Sequence, residues 1–150
     1  VWNIVFYVFL GHLLAAVGFY LNHRFVMHGK FGRLPYLKKI KRLHALHHAH
    51  PYDEKRNNHL IIPLWGKLLM ACLIAVLSSF NFWFAIGVLS FFLLYGYRHY
   101  RIHNGDNKSR FYYHHHYHHV YDASVNYSGI YPVVDNVFRT YISTNIKLKK

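Results

Sequence analysis

The chain has 150 residues, enough for one domain without a second core of similar size, and is 53% hydrophobic and 19% aromatic while carrying a net charge of +13. Eighteen Lys and Arg against five acids would suit a nucleic-acid binder, but the long uncharged runs exclude that class and fit a membrane protein with a positive cytoplasmic face. A single cysteine, Cys72, excludes an intramolecular disulfide framework.

Residues 1–21, VWNIVFYVFLGHLLAAVGFYL, contain no charged side chain. A bilayer core of about 30 Å takes roughly 20 helical residues, so this stretch predicts one membrane crossing. A signal peptide would show a basic leading region and a small-residue cleavage site, and neither is there. Beginning at Val1 rather than Met and apolar at once, the chain reads as one whose true N-terminus lies upstream. Leu60 to Tyr97 is apolar apart from Lys67 and too long for a single helix. The polar break SSFNF at 78–82 predicts two helices, about 62–78 and 82–97, joined by a tight hairpin. Lys67 snorkels to the interface.

Nine Lys and Arg fall between residues 22 and 59, eight between 98 and 150, and none at the hairpin tip. The positive-inside rule puts both basic regions on the cytoplasmic side. The expected fold is therefore an all-α integral membrane protein in one domain, residues 1–150. About three transmembrane helices carry a cytoplasmic helical cap. Pro35 is expected to open a helix through PYLKKIKRLHALHHAH. In it Leu37, Ile40, His44 and His47 share a face, giving a basic amphipathic surface helix whose apolar stripe continues into histidine.

Fourteen of the fifteen histidines lie in the two basic regions, and ten fall into four clusters. These are His23 and His28 in HRFVMH; His44, His47 and His48 in HALHH; His99 and His103 in HYRIH; and His115, His118 and His119 in HHHYHH. Spacings of three and four residues bring helical side chains to one side. His23 and His28 break that rule, since five α-helical residues leave them about 140° apart. They need a helix end, with Gly29 as the residue after it, or they serve different metals. One tetrahedral or octahedral ion takes four or six ligands, so two metals sharing ten histidines is the natural count. Imidazole suits iron, zinc, copper and nickel alike. The Glu plus Glu-x-x-His pattern of carboxylate-bridged di-iron bundles is absent, because Glu54 is the only glutamate. A purification tag would sit at a terminus, and a histidine-rich metal buffer would not explain three further clusters at helical spacing. His12 lies inside the first span as a packing residue, while His50, His59, His114 and His116 remain as interfacial or supporting groups. In the last cluster the alternative register His114, His115, His118 is also contiguous.

The ordered set H-x4-H, H-x2-H-H, H-x3-H, H-x2-H-H resembles the fatty acid hydroxylase and sterol desaturase superfamily. Details resemble the fatty acid 2-hydroxylase branch most. HRFVMH is similar to its HRFLFH-like motif, HALHHAHPYD to its H-x-x-H-H-x-x-P-x-D, and YGYRHYRIH to its Y-D-x-x-H-Y-x-x-H. NYSGIYPVVDNVFRT resembles the superfamily ending through Gly129, Asp135, Phe138 and Thr140, with Val134 replacing the usual Trp. Compact loops and HRFVMHG also resemble bacterial carotenoid hydroxylases.

The resemblance implies a membrane oxidoreductase that uses O2 to hydroxylate a lipid acyl chain at two metal ions. The ions are usually iron, and zinc is an option as purified. The ten clustered histidines are the implied ligands. Asp135 and Asp53 are expected either to orient imidazoles through their N–H groups or to cap helices, and Tyr100, Tyr113 and Tyr117 either to line the substrate mouth or to sit as ordinary interface aromatics. Electrons must come from a cytochrome b5-like or ferredoxin-like donor; the basic face offers either a dock for it or a surface for anionic lipid. The implied location is a multi-pass membrane protein of the endoplasmic reticulum or the bacterial inner membrane, with its metal site on the cytoplasmic side. Rivals on the same site are carotenoid hydroxylation and sterol desaturation. A non-enzymatic metal-binding protein or transporter would need ionisable residues along its spans, where only His12 and Lys67 stand.

Overall fold

The computed structural model describes residues 1–51, 63–104 and 110–143. Helix α1, Trp2–Leu21, runs on into a π-helical turn, Asn22–Met27, followed by a 3-10 turn, Lys30–Arg33. Then come α2, Lys38–Ala49; α3, Leu64–Phe80; and α4, Phe82–His103. The last helices are α5, Arg110–Val120, and the short α6, Pro132–Val137. No strand occurs among the described residues.

The expected break at 78–82 narrows to one residue. Asn81 is extended, and its side chain accepts from Phe84 N at 3.0 Å, capping α4. Helix α4 then continues past the expected end at 97 and carries His99 and His103 beyond the apolar stretch. It packs closely against α1, with backbones meeting where side chains are missing. A Cβ on Gly11 would strike the Phe84 carbonyl, and one on Gly87 the Val8 carbonyl. Ala16, Phe19, Phe91 and Ile130 form one buried cluster; Tyr20, Tyr127 and Val134 form another. Both include residues from beyond α5, so the C-terminal segment folds back over α1 and α4. Gly129 permits this return: its φ is +74°, and a Cβ there would lie 2.8 Å from the Tyr95 ring.

His12 ties the same three segments together. Its Nδ1 lies 2.7 Å from Ser90 Oγ on α4 and its Nε2 2.7 Å from Tyr131 Oη, in keeping with a packing role. The outward faces are apolar: Phe6, Phe9 and Leu14 on α1 and Leu64, Leu68 and Val76 on α3 are exposed, and no residue of α3 is buried. Among the described residues one continuous helix, Trp2–Met27, is long and apolar enough to cross a membrane; α3 is apolar but shorter.

Two expectations need correction. Pro35 does not open α2, which starts at Lys38. Leu34 is held extended (ψ 142°), as the residue before a proline prefers, and its carbonyl accepts from Leu37 N and Lys38 N to turn the chain into the helix. Gly29 is not a left-handed cap, because its φ is −84°. It is small for another reason: a Cβ would collide with the Phe25 carbonyl. Lys41 Nζ donates to the His28 and Gly29 carbonyls at 3.1 and 2.7 Å, fastening α2 to the end of the π turn.

Candidate metal centre

All ten clustered histidines meet in two groups of five. His23, His28, His44, His48 and His118 form the first; His47, His99, His103, His115 and His119 form the second. Within each group the donor nitrogens all lie within 4.8 Å of one another. Neither H-x-x-H-H cluster serves one group alone. On an α-helix i+4 falls about 40° to one side of residue i and i+3 about 60° to the other. The i, i+4 pair therefore faces one group while the i+3 histidine turns to its neighbour. In α2, His44 and His48 enter the first group and His47 the second; in α5, His115 and His119 enter the second and His118 the first. Each group thus holds two histidine pairs plus a single histidine from the other group's H-x-x-H-H helix.

The remaining pairs follow from local backbone. His99 and His103 are i, i+4 on α4. His23 and His28 converge because the chain between them is π-helical, and the i+5 hydrogen bond from His28 N to the His23 carbonyl (3.0 Å) stacks one residue over the other. The two therefore belong to the same group, not to different ones.

The spacing of the rings fits metal coordination. Neighbouring Nε2 atoms are 3.0 Å apart for His23 and His44, 2.8 Å for His44 and His28, and 3.1 Å for His28 and His118. In the second group His47 and His99 are 3.1 Å apart, His103 and His115 3.1 Å, and His115 and His119 3.0 Å. Nitrogens bound at about 2.0–2.1 Å and at right angles would be about 3 Å apart. Three rings have a fixed tautomer, since a carbonyl can only accept. His23 Nδ1 donates to the Tyr127 carbonyl, His118 Nδ1 to the Val125 carbonyl and His103 Nδ1 to the Pro51 carbonyl, each at 2.6 Å. Their Nε2 lone pairs are left pointing inward, the arrangement metal-binding histidines require. His48 Nε2 is buried without a hydrogen-bond partner, as a nitrogen reserved for a cation would be.

Electrostatics keeps these rings neutral. Burial, followed by the mutual repulsion of neighbouring imidazoles, holds His44, His115 and His119 well below the usual histidine range. Burial also lowers His28 and His118 to about 4. Ten imidazoles thus face two small spaces, with burial favouring the neutral, metal-binding form, a donor set suited to iron, zinc, copper or nickel.

The other expected residues fall around this centre. His114 is buried but turned away, with its Nε2 3.1 Å from Asp135 Oδ2. The last cluster thus takes the register His115, His118, His119. Asp135 is fully buried and also accepts from Tyr127 N (2.7 Å), Ser128 N (3.0 Å) and Thr140 Oγ1 (2.8 Å). Burial alone would raise its pKa, but bonds from His114, Ser128 and Thr140 outweigh that and hold it below the ordinary carboxylate value. Asp135 touches none of the ten histidines directly; it reaches His23 through the Tyr127 peptide. Asp53 and His59 lie outside the described residues. His116 stacks on Tyr112, and His50 follows α2 as its C-cap; neither joins a group.

An apolar cavity of about 720 Å³ opens onto both groups at once, through His44 of the first and His47 and His99 of the second. Phe19, Leu69, Met70, Leu73 and Phe92 form much of its wall, and Asn22 and Tyr95 add an amide and a phenol. The Tyr95 ring stacks on His99 with centroids 5.2 Å apart. Tyr100, Tyr113 and Tyr117 do not line this cavity, contrary to expectation. Tyr100 is exposed, and Tyr113 and Tyr117 pack on Tyr112 and Tyr121.

A family model described as fatty acid hydroxylase matches residues 8–140, a span that contains both histidine groups, the cavity wall and Asp135. No curated protein and no solved structure matches the chain.

Proposed function

The chain belongs to the fatty acid hydroxylase family, and from that premise we propose that it is a membrane-embedded di-iron oxygenase that hydroxylates a lipid acyl chain. The observation that carries this reading is the apolar cavity whose inner wall is made of histidines from both five-nitrogen groups. A cavity for a water-soluble substrate would carry more polar groups, and an ion path would not be lined by Leu, Met and Phe.

His23, His28, His44, His48 and His118 would hold one metal, and His47, His99, His103, His115 and His119 the other. Bound there, iron would supply the redox chemistry of O2 that protein side chains lack. The net reaction takes R–H, O2, two electrons and two protons to R–OH and water, with the electrons delivered by a cytochrome b5-like or ferredoxin-like donor. The chain's own contribution is placement. Phe19, Leu69, Leu73 and Phe92 grip the acyl chain and keep water from the reacting carbon. His44, His47 and His99, which line the same cavity, would place the metal pair beside that grip. Tyr95 and Asn22 offer hydrogen bonds to a polar group near it.

The exposed apolar faces of α1 and α3 support bilayer embedding, with α1, α3 and α4 as three spans. The two basic, histidine-bearing segments then lie together on the cytoplasmic side, where Lys and Arg also attract an acidic redox partner. The test is lipid profiling of cells expressing the chain. New hydroxylated acyl chains should appear and should vanish with His47→Ala. Hydroxylated carotenoid or a new sterol double bond would keep the site and replace the substrate. An unchanged lipid profile with a functioning electron donor present would contradict the enzyme reading.

A further inference from the structure

The two histidine groups are not supported alike. Two of the first group's rings, His23 and His118, are oriented from a single short segment, by the carbonyls of Tyr127 and Val125. Between those carbonyls stands Asn126, completely buried and left-handed at φ 57°, a conformation Asn adopts more readily than most residues with a side chain. Its backbone N donates to the Thr140 carbonyl at 2.8 Å, and its Oδ1 accepts from Ile142 N at 2.9 Å. Its Nδ2 makes longer contacts with the carbonyls of His114 (3.5 Å) and Ile142 (3.4 Å). Asp135 pins the next two peptides through Tyr127 N and Ser128 N. Three consecutive peptide units are thereby fixed from below, and the two carbonyls that point the other way are fixed with them. The second group receives no carbonyl from this segment; of its rings, His103 is oriented by the Pro51 carbonyl instead.

We infer that Asn126 is a positioning residue for the first five-histidine group and not for the second. The inference rests on the reading of both groups as metal sites. Ring-orienting partners are typically worth 10- to 100-fold in metal affinity. Here Asn126, through its left-handed backbone and the amide that ties the turn to Ile142, helps set the segment that orients two of the five rings of one site, so its replacement should weaken that site alone. The two metals would then differ in affinity, with the first site dependent on the C-terminal return and the second on packing among α2, α4 and α5.

The test is Co²⁺ binding to the full chain in detergent, followed by its absorption and by chelator competition. Wild type should take two ions; fewer than two would overturn the dinuclear reading and the inference with it. Asn126→Ala, which loses the side chain and strains the left-handed backbone, should keep one ion unchanged and weaken the other at least tenfold. Asn126→Gly, which keeps the backbone conformation, should show a smaller loss confined to the same ion. In a His103→Ala background Asn126→Ala should weaken the remaining ion, and in a His28→Ala background it should leave the remaining ion alone. Equal weakening of both ions, weakening of neither, or the reverse pattern in the two backgrounds would overturn the inference while leaving the two-metal reading intact.

Discussion

Asp135→Asn is a demanding perturbation because it changes one atom in a fully occupied site. The carboxylate accepts four hydrogen bonds, two on each oxygen: Tyr127 N and Thr140 Oγ1 on Oδ1, Ser128 N and His114 Nε2 on Oδ2. An amide has one acceptor oxygen and one NH2. If the NH2 takes the Oδ2 place, His114 can accommodate it by moving its own proton to Nδ1, which is buried and unpartnered. Ser128 N–H then faces an N–H and stays unsatisfied. If the amide flips, Thr140 can rotate its hydroxyl, and Tyr127 N–H is the group left stranded. Either way one buried backbone donor loses its partner, which costs about 1–3 kcal/mol, and the surviving bonds lose charge assistance. Relief from burying a carboxylate offsets part of this, so the expected net loss is roughly 2–4 kcal/mol. Chemical denaturation in detergent, followed by circular dichroism at pH 7.5, measures it. A change below about 0.5 kcal/mol would refute the claim that Asp135 organises the 126–128 turn.

Replacing adjacent histidines of one cluster should empty different sites: His48→Ala should lose the ion bound with His28 and His118, and His47→Ala the ion bound with His99 and His103, read by Co²⁺ spectra of each variant. Acid should loosen the metal-free fold. His118 titrates near 4 in the fold against 6.5 unfolded, so the unfolded chain binds more protons between those values and stability falls as pH drops from 6.5 toward 4. That difference is worth roughly 3 kcal/mol in full, and a stability flat from pH 7 to 5 would contradict it. Leu73→Trp, which adds bulk to the cavity wall away from the histidines, should lower acyl hydroxylation at least tenfold with metal content unchanged; full activity would place the substrate elsewhere.

Much of this architecture is legible in the residues. The uncharged opening run and the polar break before Phe82 locate α1, α3 and α4, because apolar length and a capping Asn are local signals. Eight of the ten histidines are legible because they recur in H-x-x-H-H and H-x-x-x-H spacings, while His12 is set apart by its place inside the first apolar run. The division of H-x-x-H-H between two sites is less visible, although the wheel contains it: i+3 and i+4 diverge by about 100°. The π turn at 22–27 has no composition signal of its own. Its trace in the sequence is the mismatch of His23 and His28 with an α-helical face, which requires either a break or a wider turn. What supports the histidines is hardest to read. Val125, Tyr127 and Pro51 act through backbone carbonyls, which carry no side-chain identity, and the C-terminal return that delivers two of them depends on contacts between residues more than a hundred positions apart, such as Tyr20 with Thr140.

The central claim is that ten histidines make two metal sites, and metal content per chain tests it most directly. Elemental analysis of the detergent-purified chain, set against protein determined by amino-acid analysis, should give close to two ions per chain, falling to about one in His48→Ala and in His47→Ala. One ion or none in the unaltered chain, after reloading with Fe²⁺ or Zn²⁺, would contradict it.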